Sequence, residues 1–497
     1  MQLQFRRQEV PCLRSFMTRV QTLEQTQEVT VAEDRDGAEI LGVWGQPVLR
    51  TKERRGDRLL ITGGIPAQVL MGSPEGVPPF SLEAWIPFRM DWDLPGEMGT
   101  GTDRILPVLS GLDARWTGAG KLLIRAGISV LAECWQETVV PVPQPADVPE
   151  DVAVRRHCWP VWLPKEAGEK TFSLEETLTL PASEAAVEKI LHNSLTPVIT
   201  DQKVLGNKIV FRGSASVHLC WLCPEGKVHS WDTELPFSQY AQLQGDFSPE
   251  ARVQVLCAVT RLELDRTGTG ELTLRTDITG QYLVEDRQLL ETADDAYSPH
   301  RSVELERQEL ALPMVLEERR ESLRTEQKLS PAPYSAVDVT VLTDLPRMGR
   351  QGDRTTLDVP QRCRVLHYDE AGILRGTEHR WNQTMELEAE EHSHITALPG
   401  QVRVRLTPEL EGAALEAELP VTLRTLSGTA LPAVSALTLG EHVQPDPGRP
   451  SLILRRAGTD TLWDLARRSG STVEAICMAN GLEGEPEPER MLLIPVL

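Results

Sequence analysis

Positive charge is in deficit: 51 Lys and Arg face 73 Asp and Glu, giving a formal net charge of −22 and an isoelectric point near 5.0. Such a field repels phosphate backbones and anionic headgroups, so neither nucleic acid nor a membrane is expected as a partner, while a basic protein would be steered inward. Long apolar runs are also missing. The start, Met1-Gln-Leu-Gln-Phe-Arg-Arg-Gln-Glu-Val10, lacks the about 7–15-residue apolar stretch of a secretion signal. No later segment approaches the about 20 apolar residues of a membrane span, so a cytosolic chain without membrane insertion is expected. Cysteine is sparse, eight in 497 residues, mostly inside apolar alternations such as Val255-Leu-Cys257-Ala-Val259; this implies no disulfide framework. There is no Gly-rich phosphate loop followed by Lys-Ser/Thr, no Gly-x-Ser-x-Gly elbow and no distinctive carboxylate pair. No catalytic residue, no cofactor and no metal is therefore expected.

What is present points to a multidomain globular chain. Apolar residues make up 40% and charged residues 25%, enough apolar surface to offset the ordering entropy, and 497 residues exceed what one core serves. Three or four domains are expected. The chain also repeats itself: Asp57-Arg-Leu-Leu-Ile-Thr-Gly63 corresponds to Asn207-Lys-Ile-Val-Phe-Arg-Gly213, and Gly118-Ala-Gly-Lys-Leu-Leu-Ile-Arg125 to Gly268-Thr-Gly-Glu-Leu-Thr-Leu-Arg275, both 150 residues on. Glu83-Ala-Trp-Ile-Pro-Phe88 answers Asp232-Thr-Glu-Leu-Pro-Phe237 between them. A more diverged third copy opens at Val303-Glu-Leu-Glu, echoing Phe172-Ser-Leu-Glu, and carries Asp353-Arg-Thr-Thr-Leu-Asp-Val359 and Gly412-Ala-Ala-Leu-Glu-Ala-Glu-Leu419. It has Val359 where the others have glycine.

Within the copies the apolar period is two, as in Val402-Arg-Val-Arg-Leu406, which marks half-buried strands. Thr117-Gly-Ala-Gly120 and Arg266-Thr-Gly-Thr-Gly270 supply the positive-φ positions of tight hairpins. One helix is expected at Ser183–Leu191, with Ser183 as its cap and Ala186, Val187, Ile190 and Leu191 on one face. Prolines mark Pro141–Pro149 and Gln444–Pro450 as linkers. The expected fold is mainly β: three tandem sandwich- or barrel-like repeats of about 145 residues each, then a small α+β module. The boundaries are 20–140, a linker at 141–164, 165–298, 301–435, a linker at 436–450, and 451–497.

After Pro450 the pattern becomes strand–helix–helix–strand: Leu452-Ile-Leu454, Thr461 to Arg468, Ser471 to Ala479 and Met491–Ile494. Thr461-Leu-Trp-Asp464 and Ser471-Thr-Val-Glu474 read as capping boxes, and Asn480-Gly481 as a left-handed helix stop. Trp463 and Leu465 are expected in the module's core. Gly458-Thr-Asp-Thr-Leu-Trp-Asp-Leu-Ala466, Asn480-Gly-Leu482 and Leu492-Leu-Ile-Pro495 make this segment resemble the LysM family. That resemblance implies a shallow groove for N-acetylglucosamine-containing glycans, formed by Gly458, Asp460, Thr461 and Leu462 on one side and Asn480, Gly481 and Leu482 on the other. The same residues also serve as helix ends. The segment departs from the family in the extra residue at Thr459 and in the carboxylates of Glu483-Gly-Glu-Pro-Glu-Pro-Glu489, which makes a protein ligand a competitor to glycan.

Asn207–Gly213, Glu234-Leu-Pro-Phe237 and the Gly268-Thr-Gly270 hairpin resemble the SPOCS domain of spore-coat and SipL-type proteins, best in the second copy. Tandem SPOCS domains followed by a LysM imply a non-enzymatic coat-morphogenesis scaffold in the mother-cell cytosol, docking on the coat-basement ATPase or another spore-coat protein at the forespore surface. The alternative is a cell-wall glycan-binding protein. A metal-dependent hydrolase ranks third. Two features come into question as metal sites: the lone Cys220-Trp-Leu-Cys223, whose members point to opposite strand faces, and Glu388-Ala-Glu-Glu-His-Ser-His394, with His367 or His379 near His392 and His394. A zinc site would want a second cysteine pair, and a solvated acidic loop is the favoured reading of the histidine run.

Overall fold

The computed structural model describes residues 2–497 except 33–36, 73–77, 96–100, 119, 145–147, 182, 269–270, 330–334, 353, 389–393, 410–411, 427–429, 443–447 and 488. The first part of the chain forms β1 (Gln2–Gln4), β2 (Arg6–Thr30), β3 (Glu39–Gly45), β4 (Val48–Arg55), β5 (Arg58–Gly72), β6 (Phe80–Asp93), β7 (Gly101–Gly118) and β8 (Lys121–Gln144). The second forms β9 (Ala153–Thr179), β10 (Lys189–Leu205), β11 (Lys208–Leu222), β12 (Val228–Gln242), β13 (Arg252–Arg266) and β14 (Glu271–Tyr297). Then come β15 (Arg301–Leu310), β16 (Val315–Leu329), β17 (Ser335–Thr343), β18 (Arg347–Gln351), β19 (Arg354–Tyr368) and β20 (Leu374–Leu387). They are followed by β21 (His394–Pro399), β22 (Arg403–Glu409), β23 (Gly412–Leu426) and β24 (Leu431–His442). The last part is β25 (Leu452–Arg456), α1 (Leu462–Ser469), α2 (Val473–Asn480) and β26 (Met491–Pro495).

Every strand pairing described is antiparallel, and six of the eight sheets described form three facing pairs, the β1–β24–β15 sheet and the β25–β26 ribbon being the other two. In the first pair β5 lies between β3/β4 and β6, and β8 lies between β2 and β7. In the second, β11 lies between β10 and β12 and β14 between β9 and β13; in the third, β19 lies between β17/β18 and β20 and β23 between β16 and β21/β22. Alternate residues of the facing sheets fill each interior: Ile61, Ile65, Ile124 and Ile128 in the first, Phe211, Val217, Leu274 and Ile278 in the second. The third interior divides into two smaller clusters, one around Val359, Leu419 and Leu423 and the other around Cys363 and Leu415.

Gly63 and Gly213 occupy matching places. Gly63 faces Leu49 and Phe88, Gly213 faces Ile199 and Phe237, and each sits beside a bulge, Leu49/Thr51 or Ile199/Asp201. A Cβ at either would collide with a backbone carbonyl, of Val48 or Val198, and with the phenylalanine ring opposite, so only glycine fits. The third sheet reaches the same place with Val359 by a different route. There the neighbouring strand breaks between β17 and β18, so that Thr343 faces Gln361, Arg347 faces Asp358, and no ladder partner on that side faces Val359. The β7–β8 hairpin turns at Gly120 with φ +69, as its sequence requires; Gly270 lies outside the described residues.

Several expectations are corrected. Ser183–Leu191 is not helical: its carbonyls serve tertiary donors, Trp221 Nε1 to Ala185 O and Arg266 to the Val187 and Glu188 oxygens, and Glu188 N–H donates to Leu222 O. Ladder and side-chain bonds from neighbouring strands outcompete a short helix. The linker read at 141–164 is strand up to Gln144 and again from Ala153. Pro141 and Pro143 pair with Glu9 and Arg7 beyond Gln136, where the β7 ladder ends and β8 has become an edge strand of its sheet, the position in which proline is tolerated. Val142 between them is fully buried beside Val10 and Val161. In 436–450, β24 continues to His442 and holds β15 on one side and β1 on the other. The Val303 echo is also misplaced: Val303 pairs with Leu439, whereas the counterpart of Phe172 opposite Ile278 is Leu323 opposite Leu419.

The three sheet pairs share surfaces as well as a chain. Leu131, Leu256 and Leu345 pack with Leu398 in one cluster drawn from all three. Beside it, buried Arg104 stands 3.3 Å from Glu133 and donates to Gln254, Gln281 donates to and accepts from the Ile105 backbone, and Arg424 pairs with Glu285. Charges this deep persist only when paired.

Candidate functional site

The C-terminal module has the expected element order, with β25 and β26 paired antiparallel. Thr461 caps α1 with a full capping box to Asp464, whose carboxyl is held below its ordinary range by the Thr461 hydrogen bond. The second cap is Thr472, not Ser471: Thr472 Oγ1 accepts from Ala475 N, while Ser471 is buried and its N–H donates to Ala466 O. Gly481 ends α2 at φ +61, as expected.

The residues that the LysM resemblance assigns to a groove are spent on the module itself. Asp460 takes both Arg468 (2.7 Å) and Arg455 (3.3 Å). Asn480 accepts from Leu493 N–H at 2.8 Å and donates to the Leu493 and Ile476 oxygens, tying the end of α2 to β26. Leu462 is buried, and its N–H at the start of α1 donates to Glu485 at 3.0 Å, so a carboxylate from the opposite loop already covers that donor. Leu482 packs against the module's interior, and Gly458 has open space around it. The polar groups that would meet an acetamido group thus hold the loops together.

Trp463 corrects a further expectation. It is half-buried at the border of the module's core, packed against that cluster and not inside it: its ring meets Tyr297 edge-on at 4.8 Å, its Nε1 donates to Asp295 at 2.9 Å, and Arg467 reaches the same carboxylate at 2.8 Å. It packs where the module docks on the end of β14, because the small interior is already filled by Leu465, Ile476, Leu492 and Ile494.

A second constellation lies where the three sheet pairs meet. Along β11, Leu219 and Trp221 fill the second interior, so His218, Cys220 and Leu222 face the other way. His192 lies opposite Cys220 on β10, and Asp232 opposite His218 on β12. The third pair brings Asp338 on β17 over this face, and the first brings Trp44, which stacks on His192 at 4.3 Å and donates to Thr340 on β17 at 2.9 Å. Ser230 Oγ donates to Val337 O and Val228 N–H to Tyr368 Oη, locking β12 to the third pair.

His192, Cys220 and Asp338 are all buried, and their ligand-type atoms lie within 4.8 Å of one another. His192 Nε2 is 3.0 Å from one Asp338 oxygen and His218 Nε2 2.9 Å from the other, yet neither approach is directed as a hydrogen bond. His218 Nδ1 also meets Asp232 at 2.7 Å. Burial pulls His192 down and pushes the Cys220 thiol well up. For His218 the two flanking carboxylates outweigh burial and push it to about 10. For Asp338 the histidines outweigh burial and hold its carboxyl well below the usual range.

The sequence showed none of this grouping. Cys220 acquires partners, but Cys223 is not among them, and both thiols are free. Of the other histidine cluster, His392 lies outside the described residues; His394 is exposed in the β21 sheet, while His367 and His379 belong to the β19–β20 sheet.

A family model of the SipL SPOCS domain matches residues 186–266, from the approach to β10 through β13, which include His192, His218, Cys220 and Asp232. The match connects this segment with sporulation. Neither a curated protein nor a solved structure matches the chain. Among the described residues no helix is long and apolar enough to cross a membrane.

Proposed function

We propose that the chain is a non-enzymatic scaffold of spore-coat assembly, built from three SPOCS-type copies and a LysM-type module, that docks on a coat-basement protein from the mother-cell cytosol. The family match to the second sheet pair, and the same central-strand arrangement in the other two, support the SPOCS part of this reading. The observation that carries the binding part is the outer face of the β25–β26 ribbon. Leu454 (62% exposed) and Leu493 pair across it, and Leu452 and Met491 extend it. Exposed apolar side chains gathered on one small element favour a protein surface as ligand. The internally satisfied groove, with Glu485 over the Leu462 N–H, disfavours glycan.

The test titrates the full chain with purified coat-basement protein and, separately, with chito-oligosaccharide. Saturable protein binding that Leu454→Asp and Leu493→Asp abolish without shifting the thermal midpoint is expected. Saturable sugar binding lost on Asp460→Ala, with no protein binding, would replace this reading by the cell-wall one. A fluorescent fusion in sporulating cells checks the location, expected at the forespore surface.

A further inference from the structure

Polar atoms from β10, β11 and β17 gather in one buried cluster. His192 and Asp338 keep only 1% of their side-chain surface; the two Asp338 oxygens have the imidazole Nε2 atoms of His192 (3.0 Å) and His218 (2.9 Å) as ion-pair neighbours, neither directed as a hydrogen bond, and His192 Nδ1 has no hydrogen-bond partner. Buried imidazole and carboxylate groups without a directed hydrogen bond are rare. Here they converge from two sheets on the Cys220 sulfur. We propose that His192, Cys220 and Asp338 bind one zinc-class divalent ion, which clamps the second sheet pair to the third.

The donor set suits that ion. Imidazole nitrogen, thiolate and carboxylate are the three side-chain types zinc takes, at about 2.0–2.3 Å, so tetrahedral ligand atoms stand roughly 3.3–3.7 Å apart. The observed atoms, within 4.8 Å, need only small side-chain adjustments to close on an ion. Binding replaces the Cys220 S–H bond with an S–metal bond and releases that proton to solvent. Thiolate and carboxylate then cancel the dication's charge, which lowers the cost of holding it in an enclosed site. His218, between Asp338 at 2.9 Å and Asp232 at 2.7 Å, is a positioning residue that orients the Asp338 carboxylate. The Trp44 ring, stacked on His192, fixes the imidazole plane from the first sheet pair. A local sequence motif could not have announced such a site, because its ligands come from strands of two different sheets.

The test uses the full chain produced in medium supplemented with zinc or with cobalt, so that the ion is present while the sheets close. About one equivalent of zinc per chain is expected by elemental analysis, and the cobalt form should show tetrahedral d–d bands with the charge-transfer band of a single thiolate. Cys220→Ser should lose the metal and that band, Cys223→Ser should keep both, and His218→Gln should weaken affinity about 10–100-fold. Folded wild-type chain without stoichiometric metal would overturn the proposal. So would equal metal content in Cys220→Ser, or loss in Cys223→Ser. Should Cys220→Ser fail to fold, the wild-type cobalt spectrum still decides: bands lacking thiolate character place the ion elsewhere and reject the site.

Discussion

The C-terminal module and the junction around His192 use polar side chains in opposite ways. In the module each polar residue that the sequence marked is consumed locally: Thr461 in a cap, Asp460 by two arginines, Asn480 by the backbone of β26. At the junction the polar residues come from strands far apart in sequence, are buried, and leave hydrogen-bonding capacity unused. Local motifs that are easy to read are easy because neighbouring backbone satisfies them. Side chains with unused capacity sit where packing between sheets has brought them together.

The largest test of this contrast strikes the shared interior. Glu285→Ala leaves Arg424 buried without its carboxylate and is expected to cost about 3–5 kcal/mol, read as a lowered urea midpoint. A loss below about 1 kcal/mol would mean that the sheet pairs do not depend on one another. Gly213→Ala drives a Cβ into the Val198 carbonyl and is expected to cost about 1–3 kcal/mol by the same measurement.

The module's seam should yield less and only locally. Asp295→Ala removes the acceptor shared by Trp463, Arg467 and Arg307, an expected loss of about 1.5–3 kcal/mol in docking. Amide exchange should quicken in Leu452–Arg456 and Met491–Pro495 and stay unchanged in β11. Equal quickening in β11 would erase the distinction between seam and interior.

The smallest expected effect is acid sensitivity near that seam. Burial raises the Asp294 carboxyl, but its bonds to Arg155 and His157 outweigh this and hold it below the ordinary carboxylate range. A depressed carboxylate stabilises the fold fully above its unfolded pKa of about 3.9 and loses that contribution as pH falls through the lower folded value. Exchange at the β9–β14 end should therefore rise below about pH 4, and Asp294→Asn should flatten that dependence. Arg155 also lies over the Trp463 ring, so the effect should extend into the docked module.

Much of the fold was legible. Period-two alternation marked the strands, the glycine turns marked hairpins, and the matched Gly63 and Gly213 proved to stand at the same crowded point beside a bulge. The order of elements in 451–497 and the stop at Gly481 were legible because capping is settled within a few residues. The Ser183–Leu191 segment misled for the converse reason: its apolar spacing fits a helix, but Arg266 and Trp221 claim its carbonyls from elsewhere in the chain. Pro141 and Pro143 misled because proline forbids a central strand but permits an open edge, and which strand is at an edge is not written locally.

The sequence by itself determined where strands alternate, where the chain must turn, how the first helix begins and how the second ends, since backbone geometry and nearest-neighbour hydrogen bonds decide those. Only the tertiary structure decided that Trp463 faces Tyr297, that the outer face of β11 is covered, and that His192, Cys220 and Asp338 meet. Alternation reveals that a face is buried, but what buries it depends on long-range packing between sheets, and no local pattern encodes that choice.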